Sequence, residues 1–157
     1  MSLHMKDSCP SFNGATSWIG LNTNITLQVP SIVFFWSISC PACIACFPSI
    51  SRWLDQYAHV ALNIIAVHSP RLSTDYDVEQ VEEIFLSKNL SISCAIDNNG
   101  TLKNDFQTQN IWPYYFLFDD EGKLRSRAAG GMGVNLFENA LKRLCTQIVE
   151  RQKITSI

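Results

Sequence analysis

The chain has 157 residues, 46% of them hydrophobic and 17% charged, with a formal net charge of -2. That length suits one compact domain and is short for two; such a domain buries about 68 to 70% of its unfolded surface, so a core needs neither disulfide staples nor a structural metal. Lys and Arg are scattered, which argues against nucleic acid as the main partner because phosphate binding calls for a clustered basic face, and no apolar run reaches the roughly 18 residues of a membrane span.

At the N-terminus, Met1 to His4 reads as an expression leftover ahead of Met5, and residues 1–10 as a flexible start. The charged start and apolar block of a secretion signal are missing. Trp18 to Leu21 and Ile25 to Val29 predict a small β-hairpin. Ser31 to Phe35 is apolar at consecutive positions, the pattern of a strand covered on both faces. After Pro41, apolar residues recur at Ile44, Phe47, Ile50, Leu54 and Tyr57, a helical stripe that Pro48 should bend. Leu62 to Val67 is a second apolar strand, and the helix-length separation predicts a right-handed βαβ crossover with parallel strands.

Val78 to Lys88 is helical by period, Ser91 to Ile96 is a short strand, and Asp97 to Gly100 is a turn ahead of a short helix over Leu102 to Gln107. Tyr114 to Phe118 and Leu124 to Ala129, separated by the turn Asp119 to Gly122, predict an antiparallel hairpin with Pro113 directly before it. Gly130, Gly131 and Gly133 lack the Lys and Ser or Thr of a phosphate loop and read as a plain turn. Asn135 with Glu138 is an N-terminal capping pattern, and Leu136, Ala140, Leu141, Leu144 and Ile148 form the buried stripe of the closing helix. The expected organisation is a domain over 11–150 with a tail at 151–157.

Chemistry concentrates at Cys40-Pro41-Ala42-Cys43, straight after the first apolar strand. If Pro41 opens a helix, Cys40 sits at its N-terminal edge, where unsatisfied backbone N–H groups and the macrodipole favour a thiolate. A Cys so placed is a nucleophile near neutral pH. Cys43, one turn further in and shielded, is suited to resolve a mixed disulfide. The implied reaction is reversible thiol-disulfide exchange.

The order β-α-β then β-β-α, with this dithiol at the first strand-to-helix junction and a Pro heading the hairpin, resembles the thioredoxin superfamily, and within it the TlpA/ResA-like branch. The matching residues are Phe35 and Trp36, Cys40 and Cys43, Pro48, Pro113 before Tyr114 and Tyr115, and Asp119 to Gly122 ahead of Lys123. Phe35 to Cys40 and Ala66 to Pro70 are especially similar to soluble YkuV-type members, which act in the cytoplasm. The resemblance implies an α/β, thioredoxin-like fold: a central mixed sheet flanked by helices, here with a small N-terminal β extension. It also implies that Pro113 is cis and faces the dithiol, that the backbone of Trp112 pairs with a substrate segment, and that Trp36 and Trp112 border a shallow apolar groove; both could equally be plain core aromatics, and for Trp36 core packing and substrate contact weigh the same.

The sequence departs from the family pattern in three places. Phe34 stands where thioredoxin-like reductants usually carry a buried acid, Ser39 replaces the Trp that often precedes the first cysteine, and Pro41 and Ala42 replace Gly and Pro between the cysteines. His68, ending the second strand, is the candidate proton relay in place of that acid; a loop histidine without catalytic duty is the plainer alternative.

The expected protein is a monomeric thiol-disulfide oxidoreductase acting in the reducing direction, with no metal or organic cofactor. Its partners are a disulfide-containing protein substrate and a recycling reductase or small thiol, and neither nucleic acid nor a membrane in the chain as written. Six cysteines without regular spacing fit a reducing compartment, so the expected location is cytoplasmic, or extracytoplasmic if an anchor has been trimmed from the chain. A thiol peroxidase is the nearest rival; Ser37 supplies the hydroxyl that class places before its cysteine, but Val33 sits where it carries Pro. A metal chaperone or sensor using Cys40, Cys43 and Cys46 is the alternative from another class, although no second Cys-x-x-Cys completes a four-ligand zinc site. Cys9, Cys94 and Cys145 read as packed thiols.

Overall fold

The computed structural model describes residues 3–20, 28–131 and 133–155. Its elements are β1 (Ser17–Ile19), β2 (Ser31–Trp36), α1 (Pro41–Ile44), α2 (Phe47–Gln56), β3 (Asn63–His68), α3 (Val78–Leu86), β4 (Ser93–Ile96), α4 (Thr101–Asp105), β5 (Tyr114–Phe118), β6 (Leu124–Ala129) and α5 (Val134–Thr155). The six strands form one sheet in the order β1-β4-β3-β2-β5-β6. β2, β3 and β4 run parallel, while β1, β5 and β6 pair antiparallel with their neighbours. The sheet is therefore mixed, with β2 near its middle.

Every residue of β2 is buried, which explains its unbroken apolar run: a central strand covered on both faces has no side to leave polar. Alternate residues divide between two cores. Ile32, Phe34 and Trp36 face α2, α3 and α5 through Phe47, Ile50, Trp53, Val81, Phe85, Phe137 and Leu141. Val33 and Phe35 face Leu102 and Phe106 of the α4 region and Leu3 of the N-terminal segment. Each large apolar side chain so buried contributes about 1.5 to 3 kcal/mol over leaving it in water.

Five local expectations are revised. The helix after Pro41 does not bend at Pro48 but breaks ahead of it, because the proline ring would strike the carbonyl of Ile44 and offers no N–H to it. The chain restarts at Phe47, with the amides of Ser49 and Ile50 bonding the carbonyl of Cys46. Trp18 belongs to β1, which pairs with β4 and not with a following strand; most of the other half of the expected hairpin lies outside the described residues.

From Leu3 onwards the N-terminal segment is tied down where a flexible N-terminus or expression leftover is expected. Lys6 N–H donates to the carbonyl of Leu124 at 2.8 Å, Leu124 N–H donates to Asp7, Ser8 bridges Lys123, and Leu3 is buried. At the other end α5 runs on to Thr155, so 151–155 is helix and not tail. That helix also begins at Val134, with Phe137 N–H bonding Gly133, so Asn135 lies inside the first turn and not at the cap.

Candidate active site

The dithiol stands where β2 leaves the sheet. Trp36 ends the strand, Ser37 to Ser39 form a turn closed by Cys40 N–H donating to the Ser37 carbonyl at 3.1 Å, and Cys40 is the extended N-cap of α1 with Pro41 in the first turn. Pro41 fits there because its missing N–H has no helical partner to lose. Cys40 and Cys43 are joined in a disulfide with their Cα atoms 5.2 Å apart. Cys40 is 4% exposed and Cys43 fully buried, so of the two residues only Cys40 keeps any contact with solvent.

α1 is four residues long and separated from α2, which revises the macrodipole account. A single turn sums few peptide dipoles. The anion's support is more local: Cys43 N–H points at Cys40 Sγ at 3.1 Å, a bond that strengthens when the acceptor becomes a thiolate.

Strand pairing gathers the other candidates at the same end of the sheet. Trp36 is in register with His68 of β3, and Phe35 with Tyr114 of β5, so Pro113 follows at the edge beside the Cys40 turn. The Trp112–Pro113 peptide is cis. Pro113 is buried, Trp112 half-buried. The Trp112 indole is held by its Nε1–H donating to the Ser69 carbonyl at 2.9 Å, with Lys103 Nζ 5.7 Å from its ring centre. Ser69 in turn donates to Asp97, whose carboxylate also accepts the Leu102 and Lys103 amides that open α4.

Trp36 is not a groove wall. It is fully buried, its ring 5.1 Å from Phe47, 5.9 Å from Phe85 and 4.9 Å from His68, and it presents no surface to a substrate. An aromatic at the end of a central strand points into whichever layer covers it, and here that layer is α2 and α3. Phe34 likewise packs between Tyr115 and Phe47 and brings no acid beneath the dithiol.

His68 is fully buried under the turn, where its Nε2 accepts the Ile38 N–H at 3.2 Å. An acceptor nitrogen carries no proton, so the neutral ring holds its proton on Nδ1. Burial drives its pKa down to about 4 despite the opposing charge of Asp75. It makes no hydrogen bond to either cysteine among the described residues; its partner is the backbone of the turn.

Sequence reasoning passed over Asp75. This carboxylate is 1% exposed, and one oxygen accepts Ser37 Oγ–H (2.6 Å), Ser39 Oγ–H (2.7 Å) and the amides of Arg71 (2.9 Å) and Leu72 (3.0 Å). Burial alone would raise its pKa, but the Ser37, Ser39, Leu72 and Arg71 donors outweigh it and bring it to about 2. Arg71 also donates from Nη1 to the Ser39 carbonyl at 2.8 Å. One signal was available: loops leaving the C-terminal ends of adjacent parallel strands meet, and Asp75 follows β3 as Ser37 and Ser39 follow β2.

The remaining thiols are quiet. Burial pushes Cys9 and Cys94 up to about 12 and Cys145 to about 11. Burial also raises Cys46, whose Sγ–H donates to the Ala42 carbonyl at 3.1 Å. Among the described residues no three His, Cys, Asp or Glu side chains gather as a metal site.

Known proteins are similar to this chain in sequence and fold. Thiol-disulfide oxidoreductase YkuV of Bacillus subtilis (strain 168) is 29% identical over 150 residues, covering 92% of this chain and 99% of that protein. Sporulation thiol-disulfide oxidoreductase A of the same organism is 22% identical over 102 residues, 65% of this chain and 60% of that one. Among solved structures, a thioredoxin-like protein in its oxidized form superposes with a TM-score of 0.79 at 29% identity, over 92% of this chain and 99% of the other. The thiol:disulfide interchange protein DsbE from Chlorobium tepidum shares the fold, with a TM-score of 0.73 at 17% identity over the same shares. A family profile described as AhpC/TSA matches residues 5–127, and with the dithiol at the head of α1 in a thioredoxin-like sheet, the chain belongs to the AhpC/TSA family.

Proposed function

We propose that the protein is a thiol-disulfide oxidoreductase working as a reductant of protein disulfides. The observation that carries this is the Cys40–Cys43 disulfide at the N-cap of α1, the first residue retaining a little exposure and the second fully buried. In the reduced protein the Cys40 thiolate attacks a substrate disulfide, forming a Cys40–substrate bond and releasing one substrate thiolate, which takes a proton from solvent. Cys43 then gives its proton to solvent and attacks Cys40 Sγ, breaking that bond and releasing the second substrate thiolate, which solvent protonates in turn. Two electrons pass to the substrate and the Cys40–Cys43 disulfide closes; a reductase or small thiol restores the dithiol.

The reducing direction is supported by Ala42, which has neither the hydrogen bond nor the charge that would hold a strongly stabilised thiolate. The peroxidase alternative is not favoured: a second cysteine closes on Cys40, and the Ser37 hydroxyl is committed to Asp75. A cytoplasmic, monomeric protein fits the resemblance to YkuV-type proteins and the four further cysteines that form no disulfide.

Equilibration with glutathione buffers tests the proposal. The couple should lie near about -270 mV and not near about -120 mV, with dithiol-dependent reduction of insulin. Peroxide turnover without insulin reduction overturns it. Trp112, held beside Pro113 by Ser69, is the groove wall that remains once Trp36 is placed in the core. Trp112→Ala should raise KM for a protein disulfide about tenfold, a loss of roughly 1.4 kcal/mol of aromatic contact. The rate with a small aromatic disulfide should hardly change, and an equal fall for both substrates would show that the ring braces the site instead.

A further inference from the structure

Both hydroxyls of the turn between Trp36 and Cys40 donate to the same carboxylate oxygen, Oδ2 of Asp75. The other oxygen is buried without a partner, and Asp75 forms no ion pair among the described residues. Its charge is met by hydroxyl and amide dipoles alone. Dipoles hold an anion in place without cancelling its field, and that field is weakly screened in a buried site. Ser39, one of the two hydroxyl donors, is the residue directly before Cys40.

Resting on the reading of Cys40 as the attacking thiolate, we propose that Asp75 is a positioning residue that clamps the Ser37–Ser39 turn and, as a fixed anion behind Cys40, biases the couple towards its reducing side. The oxidised protein has no charge on Cys40, whereas the reduced protein places a second anion near the first. Repulsion between them disfavours the thiolate and favours the disulfide, which makes the dithiol a stronger electron donor. Of the other charged or titratable groups at this end of the sheet, His68 is neutral beneath Ile38, Asp97 is a second buried carboxylate that accepts from Ser69 at the base of the turn, and the Arg71 guanidinium on the Ser39 carbonyl acts in the opposite sense to Asp75. Asp75 stays ionised down to about pH 2, so its field is constant wherever the thiols titrate.

Asp75→Asn keeps the shape and one acceptor oxygen while removing the charge. In glutathione buffers at pH 7 the equilibrium should move about tenfold towards the dithiol, equivalent to about 30 mV, and the pH midpoint of Cys40 alkylation should fall. Because the effect acts only through the Cys40 thiolate, the difference should shrink as the pH is lowered towards 5. A shift of equal size at pH 5 and pH 7, or an unmoved alkylation midpoint, overturns the proposal and leaves Asp75 as a brace of the loop.

Arg71→Gln, at an exposed residue, provides the second arm should Asp75→Asn not fold. Its midpoint should rise, and less far because solvent screens the guanidinium; a fall overturns the proposal. Insulin reduction by the unaltered protein is measured alongside. If it is absent, the oxidoreductase reading itself fails; if it is normal and Asp75→Asn changes nothing, only the inference about Asp75 does.

Discussion

Cys43→Ser will turn the protein into a trap for its substrate. With Cys40 intact, the first displacement still occurs, so a covalent adduct through Cys40 should accumulate towards one per protein molecule and be released by excess dithiothreitol. Sustained turnover should fall on the order of 10³-fold or more, as when one member of an interdependent catalytic set is removed. Cys40→Ser should abolish both turnover and adduct, since Cys43 is fully buried behind the first sulfur and cannot be reached by a large disulfide. Cys46→Ser should trap nothing and turn over normally, because that thiol is bonded to the Ala42 carbonyl and raised by burial. Mass spectrometry of the adduct, digested under non-reducing conditions, reads all three variants. Adduct formation by Cys40→Ser, and not by Cys43→Ser, would reverse the roles of the two sulfurs.

The residues that define the fold were legible because their patterns have only one physical use. A continuous apolar run such as Ile32 to Phe35 needs cover on both faces, and β2 has it. The turn Asp119 to Gly122 between two apolar segments makes a hairpin, and β5 and β6 pair as expected, with one register irregularity at Leu117 and Phe118. What could not be read depended on partners far away in the chain. Leu3 and Lys6 look like part of a leader until the β6 edge they dock on is in place. Trp36 looks like a groove residue until Phe47 and Phe85 close over it.

The site was legible to the same depth. Cys40 and Cys43 announce themselves by spacing and by the strand before them. Asp75 lies 36 residues beyond Ser39 with no local motif of its own, and its role exists only where two loops meet. The short helix behind the dithiol has a related cause: Pro48 looks like a bend in one helix, yet a proline in the second position of a helix starts a new one, which leaves the dithiol on a single turn. The nucleophile is therefore supported by particular donors, the Cys43 amide above all, and not by a long helix behind it.

Lowering the pH from 7 to 4 should cost the fold about 3 kcal/mol at His68 alone. The folded ring is fully buried, and burial holds its pKa at about 4 against an ordinary value of 6.5. Between those values the unfolded chain binds a proton that the folded one refuses, so stability rises with pH across this window and is lost on acidification. Asp75 acts in a separate window: its pKa is depressed from 3.8 to about 2, so its contribution persists at pH 4 and disappears only on further acidification through that range. Urea midpoints of the oxidised protein at pH 7, 5.5 and 4 separate the two, and His68→Gln, which cannot take up a proton, should flatten the upper window. Equal losses in both proteins over that interval would remove His68 as the cause. The consequence reaches the active site, because Nε2 is the atom that protonates and also the atom that accepts the Ile38 N–H. Once charged it becomes a donor facing a donor, so acid should loosen the turn that presents Cys40 before it unfolds the sheet.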